Sequence, residues 1–212
     1  MDRSFIWILI VAAVLILIVL FMTGLRKQAF TKVYRLLMDR EYSEFFREID
    51  SKAMISLFPE WMRENLKLTA YMELQDTKNV TETFNGLMKI KCGNAQKTDL
   101  LIRGFQYYLQ MQDGKKCKRI KEEMEQIVET KNMEKYCRHY EIVFEHSKEY
   151  IAELEQEVRE HKNLMRGYLE YLLAKSYQAA GENEAYLKNI RKASAAYKVP
   201  VSQLDKKIRV LV

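Results

Sequence analysis

Seven glycines, three histidines and three cysteines carry most of what this sequence could offer to chemistry. A phosphate loop needs G-x-x-x-x-G-K-[ST], so that backbone amides wrap the phosphates and the hydroxyl holds magnesium. Gly114-Lys115 is followed by Lys116, and Leu109 stands where the first glycine would be. The glycines at 24, 86, 93, 104, 114, 167 and 181 never come close enough together for a dinucleotide loop. For a metal, Cys137-Arg138-His139 is the nearest approach to a ligand pair, with His146 and His161 the other imidazoles, whereas zinc takes three or four ligands at recognisable spacings. No G-x-S-x-G is present for a serine nucleophile. Glu122-Glu123 and Glu153, Glu155 and Glu157 pair carboxylates, which on an amphipathic helix form its solvated face. The expectation is a protein without catalytic residues, metal site or cofactor, and not an enzyme.

The elements behind these residues read as helices. Over 212 residues, 7 Gly and 2 Pro leave little material for the turns of an all-β fold. Apolar side chains recur at three and four, as in Tyr42, Phe45, Phe46 and Ile49, or Leu187, Ile190, Ser194 and Tyr197. Asp113-Gly114, the one hairpin-like pair, lies between two helically spaced stretches and reads as a helix-helix turn. Cys92, Cys117 and Cys137 show no paired spacing, so they read as small core residues in a reducing compartment.

From Phe5 to Met22 the chain runs FIWILIVAAVLILIVLFM without a polar residue. At about 1.5 Å per residue, with the next few residues added, it crosses the roughly 30 Å hydrocarbon core of a bilayer. A cleaved leader has a shorter apolar region, a basic start and a small-residue cleavage site, and none fits here. Residues 1–25 therefore read as a single-pass anchor, with residues 5–25 in the lipid. Arg26, Lys27, Lys32, Arg35 and Arg40 follow the span while Arg3 alone precedes it, which places residues 26–212 in the cytosol.

Turns fall near Arg40, Gln75, Gln112, His146 and Gly181, spaced 34 to 37 residues apart. A second set of breaks falls at Pro59, Gly93-Asn94, Lys131-Asn132, Lys162-Asn163 and Pro200. About five helix pairs follow, over residues 26–200. In the last one, Tyr171, Leu172, Leu173, Ala174, Tyr177 and Ala180-Gly181-Glu182 resemble the tetratricopeptide repeat (TPR) pattern, with echoes at Leu68 and Tyr71 and at Gly104 and Tyr107. The resemblance covers residues 28–198 and is clearest over 168–198. It implies an all-α chain in which the N-terminal transmembrane helix is followed by an α-solenoid of TPR-like helix pairs. The concave, partner-binding groove of such a solenoid would hold Thr69, Met72, Gln106, Leu109, Tyr136, Tyr140, Val143, Tyr171, Lys175 and Gln178. Family members that clamp a terminal carboxylate use Asn with Lys or Arg in the groove, and only Asn65 and Lys175 come near that chemistry.

Residues 201–212 read as a C-terminal capping helix, with Ser202-Gln203-Leu204-Asp205 in the form of a capping box. From Ile151 through Leu154, Val158, His161, Met165, Tyr168 and Leu172 an apolar stripe suits either a helix pair or one long helix with a coiled-coil seam. The sequence thus reads as a membrane-anchored adaptor or scaffold that binds a partner protein or peptide. Two alternatives remain. The basic end formed by Lys188, Arg191, Lys192, Lys198, Lys206, Lys207 and Arg209 could hold anionic lipid or RNA, although the modules of sequence-reading nucleic-acid proteins are missing. The 151–172 stripe could join copies into a homo-oligomer.

Overall fold

The computed structural model describes residues 3–127 and 130–211, and in residues 3–6, 8–11 and 130–132 the backbone alone. The side chains that open the expected span at residues 5, 6 and 8–11, and the last residue of the expected capping helix, Val212, lie outside the described residues. Among the described residues the secondary structure is helical, with no strand. The chain forms two compact units, residues 1–91 and 92–212.

The first unit opens with α1, Arg3–Met38, 36 residues without a break. Gly24 is its weakest helix former, and a lone glycine costs about 1 kcal/mol, too little to end a helix of this length. Its backbone therefore carries no boundary at residues 25 and 26. By length and composition Ala12–Met38 suffices to cross a membrane. Val14 to Phe21 are each 49% to 67% exposed, on every face of the helix. Past Arg26 and Lys27 the same helix turns amphipathic, and Val33, Leu36 and Leu37 join Phe45, Ile49, Met54 and Ala70 in one core. These come from α2 (Tyr42–Ile49), α3 (Lys52–Leu57) and α4 (Glu60–Glu73), and α5 (Thr77–Leu87) packs on α4.

The second unit holds α6 (Asn94–Gln110), α7 (Gly114–Met124), α8 (Thr130–Phe144), α9 (Ile151–Glu160), α10 (Asn163–Ala180), α11 (Asn183–Tyr197) and α12 (Val201–Leu204). Its centre is α10, which packs against α8, α9 and α11 and buries every residue from Gly167 to Ala174. Gly167 permits the approach to α11, because a Cβ placed on it would collide with Ala196.

The residues expected at the turns share a backbone state. Arg40, Gln75, Gln112, His146 and Gly181 have φ of 61°, 55°, 55°, 57° and 80°. At Arg40, Gln75, Gln112 and Gly181 the N–H donates to the carbonyl three residues back, and the next N–H donates to the carbonyl five back. This pair of bonds closes a helix through a left-handed residue, and only Gly181 adopts that conformation without a side-chain penalty of about 1–2 kcal/mol. His146 departs from the pattern: Ser147 N–H reaches the carbonyl of Glu141 instead. Two of the turns also repeat in sequence, Gln75-Asp76-Thr77-Lys78 and Gln112-Asp113-Gly114-Lys115. There the Asp carboxylates accept the N–H of Asn79 and of Lys116, each at 3.1 Å, and so start α5 and α7. Pro59 and Pro200 both occupy the position just before a helix, with φ of −59° and −58°.

Three sequence expectations require correction, and one open alternative is decided. The C-terminal helix is confined to Val201–Leu204, and residues 208–211 are not helical. The capping box is absent, because Pro200 holds the cap position and the Asp205 carboxylate is engaged elsewhere. Of the two readings of the stripe from Ile151 to Leu172, two helices are found rather than one: the chain breaks at His161 and Lys162, Asn163 is left-handed at φ 55°, and Leu154, Val158, Tyr168 and Leu172 are buried within the unit. Lys131 and Asn132 lie inside α8 rather than at a break.

Candidate functional site

Of the ten residues expected in a groove, Thr69 and Met72 belong to the first unit, on α4, where both are half-buried. The other eight lie on α6, α8 and α10 of the second unit. Leu109, Tyr136, Tyr140, Val143 and Tyr171 are buried, at 1% to 8% exposure. Tyr136 meets the Phe105 ring edge-on, and Tyr140 packs on Phe144 with the Lys121 ammonium 5.7 Å from its ring. Gln178 is exposed.

The remaining two, Gln106 and Lys175, together with the buried Tyr171, all engage the C-terminal segment. Gln106 Oε1 accepts the N–H of Val210 at 2.9 Å while its Nε2 donates to the Val210 carbonyl at 3.0 Å. The Tyr171 hydroxyl donates to Asp205 Oδ1 at 2.8 Å, and Lys175 Nζ pairs with the same oxygen at 3.2 Å while lying 5.4 Å from the centre of the Tyr171 ring. Burial first, then the Asp205 carboxylate, pushes the Tyr171 phenol well above its usual range, so it stays a donor. Lys175 thus pairs with a carboxylate of its own chain. Between these two anchors Ile208 and Val210 are buried, at 1% and 5% exposure, while Arg209 is exposed. That alternation is the two-residue period of an extended chain.

Beneath Tyr171 lies a wholly buried imidazole. His139 Nδ1 and the Tyr168 hydroxyl share a hydrogen bond at 3.0 Å, the His139 ring stacks on Tyr168, and it tilts against Tyr171 at 6.2 Å. Its Nε2 has no hydrogen-bond partner among the described residues. Burial first, then the cations Arg138 and Lys175, pushes its pKa down to about 3, so the ring is neutral at physiological pH. Arg138 itself points the other way, into a two-pronged bond with Glu157 at 2.7 and 3.0 Å and a further bond to Glu153 at 2.8 Å, tying α8 to α9. Cys117 is buried, and Cys92 and Cys137 are half-buried. Among the described residues no group of three or more His, Cys, Asp or Glu is placed to hold a metal ion.

In the sequence Asp205 and Val210 read as parts of a capping helix, and His139 only as part of the nearest approach to a metal-ligand pair. The spacing of two between Ile208 and Val210 was the available signal for Val210, and no local pattern marked Asp205. Compared with known proteins, the chain matches no family model, no curated protein and no solved structure.

Proposed function

We propose that this chain is a single-span membrane protein whose TPR-like helical repeat domain, facing the cytosol, recruits or holds a partner protein at the bilayer. The observation that carries the anchor is the exposure of Val14 to Phe21 on all faces of α1, since an uncovered apolar cylinder of this length is stable only in an apolar medium. The excess of Arg26, Lys27, Lys32, Arg35 and Arg40 over Arg3 supports the orientation. In favour of a repeat stand the recurring left-handed turns at Arg40, Gln75, Gln112 and Gly181 and the two Gln-Asp turns. Helical repeats present extended surfaces of the kind that bind other proteins.

The test is affinity purification of the tagged full-length chain from detergent-solubilised membranes, washed with nuclease and high salt. A stoichiometric foreign protein that survives both washes supports the adaptor; recovery of the chain alone removes it. A second reading has its own observation: Lys188, Arg191, Lys192, Lys198, Lys206, Lys207 and Arg209 are all exposed, a basic surface suited to anionic lipid or RNA. Binding to anionic vesicles or RNA that collapses as salt is raised would favour it.

A further inference from the structure

We infer that the C-terminal segment Asp205–Leu211 is a displaceable internal ligand, and that the surface beneath it accepts from a partner an extended peptide of the form acidic-x-x-aliphatic-x-aliphatic. The inference rests on the binding-surface reading above and names the chemistry of the partner.

Gln106 is the central observation. Its side-chain amide engages both the N–H and the carbonyl of Val210, at 2.9 and 3.0 Å, so it satisfies the main chain of one residue and is indifferent to that residue's side chain. A helix or sheet would have satisfied those groups from its own backbone. A side chain that substitutes for a neighbouring strand is instead how proteins hold extended peptides of varied sequence. Five residues earlier, Tyr171 and Lys175 converge on one carboxylate, Asp205. Between these two points only Ile208 and Val210 are turned inward, and Lys206, Lys207 and Arg209 are exposed and unread. The surface therefore selects an acid, then an aliphatic residue three positions on and another two beyond that.

The segment is also attached in a manner suited to release. It follows the left-handed Lys198 (φ 54°) and Pro200, and α12 has only four residues. Beyond Leu204 the described backbone bonds within the segment are short-range: Asp205 and Lys206 N–H reach the Gln203 carbonyl, and Lys207 and Ile208 N–H reach the Leu204 carbonyl.

The test uses the full-length chain in detergent, intact or ending at Leu204 so that Asp205 is removed as well, and a fluorescent synthetic peptide with the sequence of residues 205–212, titrated at high salt so that its basic residues contribute little. The truncated chain is expected to keep its helical circular dichroism and cooperative melting, and to bind the peptide at least about tenfold more tightly than the intact chain, whose surface is already filled. Adding Gln106→Ala to the truncated chain should weaken the peptide by about tenfold. Replacing the peptide's aspartate by alanine should weaken it as well. A folded truncated chain that ignores the peptide, or binds it equally without Gln106, would overturn the inference. So would a truncated chain that no longer folds, because the segment would then be core, and so would a dimer of the intact chain abolished by truncation, because the segment would then be exchanged between copies. Peptide binding without a captured partner protein removes the adaptor alone; a captured partner without peptide binding removes this inference alone.

Discussion

Gln106 and Val210 are separated by 104 residues and exchange two hydrogen bonds, the longest-range polar pairing described in the second unit. Gln106→Glu keeps the size and the acceptor but has no N–H for the Val210 carbonyl, and it sets a carboxylate against that oxygen. Gln106→Ala removes both partners and leaves room for water. Each lost bond is worth about 0.5–1.5 kcal/mol, more where a buried group is left unpaired. Hydrogen exchange is expected to accelerate at residues 208–211 in both variants, more in Glu than in Ala, with α8 and α10 unchanged. Equal exchange in all three proteins would show that the pairing does not hold the segment.

Gly167 faces Ala196 with no space for a methyl group. Gly167→Ala should destabilise the second unit by about 1–3 kcal/mol through forced separation of α10 and α11, despite the better helix propensity of alanine. Ala196→Gly in the same chain should recover part of that loss. A double-mutant cycle by urea unfolding reads the coupling, and strict additivity would show that the two helices do not meet there.

His139 ties stability to acid. In the folded chain its pKa is lowered to about 3, against an ordinary value of 6.5 for the unfolded chain. Below pH 6.5 the unfolded chain takes up a proton that the folded one refuses, so stability is full above that pH. It falls as the pH drops toward 3, by about 1.4 kcal/mol per pH unit for this one group. His139→Gln should be less stable at neutral pH but should lose much less between pH 6.5 and 4.5. An unchanged pH slope in denaturant titrations would contradict the buried neutral ring.

Leu17 lies within the exposed apolar part of α1, at 64% exposure. Arginine near the middle of a membrane span costs about 2.5–3.5 kcal/mol of insertion. Leu17→Arg should therefore shift the chain from the membrane pellet to the supernatant on alkaline extraction, and Leu17→Ile should not. Equal extraction of the two variants would remove the anchor.

The helical class and the places where helices end were legible because both are written locally. Apolar spacing of three and four marks a helix face, and Gln75-Asp76, Gln112-Asp113 and Ala180-Gly181 announce a stop followed by a start. The break at Lys162-Asn163 was legible only as one of two readings, since the apolar stripe continues through it and the left-handed Asn163 leaves no pattern beyond its residue type. What could not be read was the destination of the C-terminus. Ser202 and Asp205 have the spacing of a capping box, and local pattern favoured it; Tyr171 and Lys175 won Asp205 through contacts more than 25 residues away. The tyrosines of α8 and α10 likewise alternate as a groove lining would, yet Tyr136, Tyr140 and Tyr171 are buried, because burial depends on what packs above them.

Helix α1 passes from its exposed apolar half into the core of the first unit without a joint, with Val33 and Leu37 fully or almost fully buried on the same rod that carries Leu17 and Phe21. A chain tethered through a flexible linker would sweep a volume. This one is mounted like a blade on a shaft: whatever fixes the tilt and rotation of the apolar end fixes the heading of the unit built on Phe45, Ile49 and Met54, and a quarter turn of the helix about its axis swings that unit through a quarter turn as well.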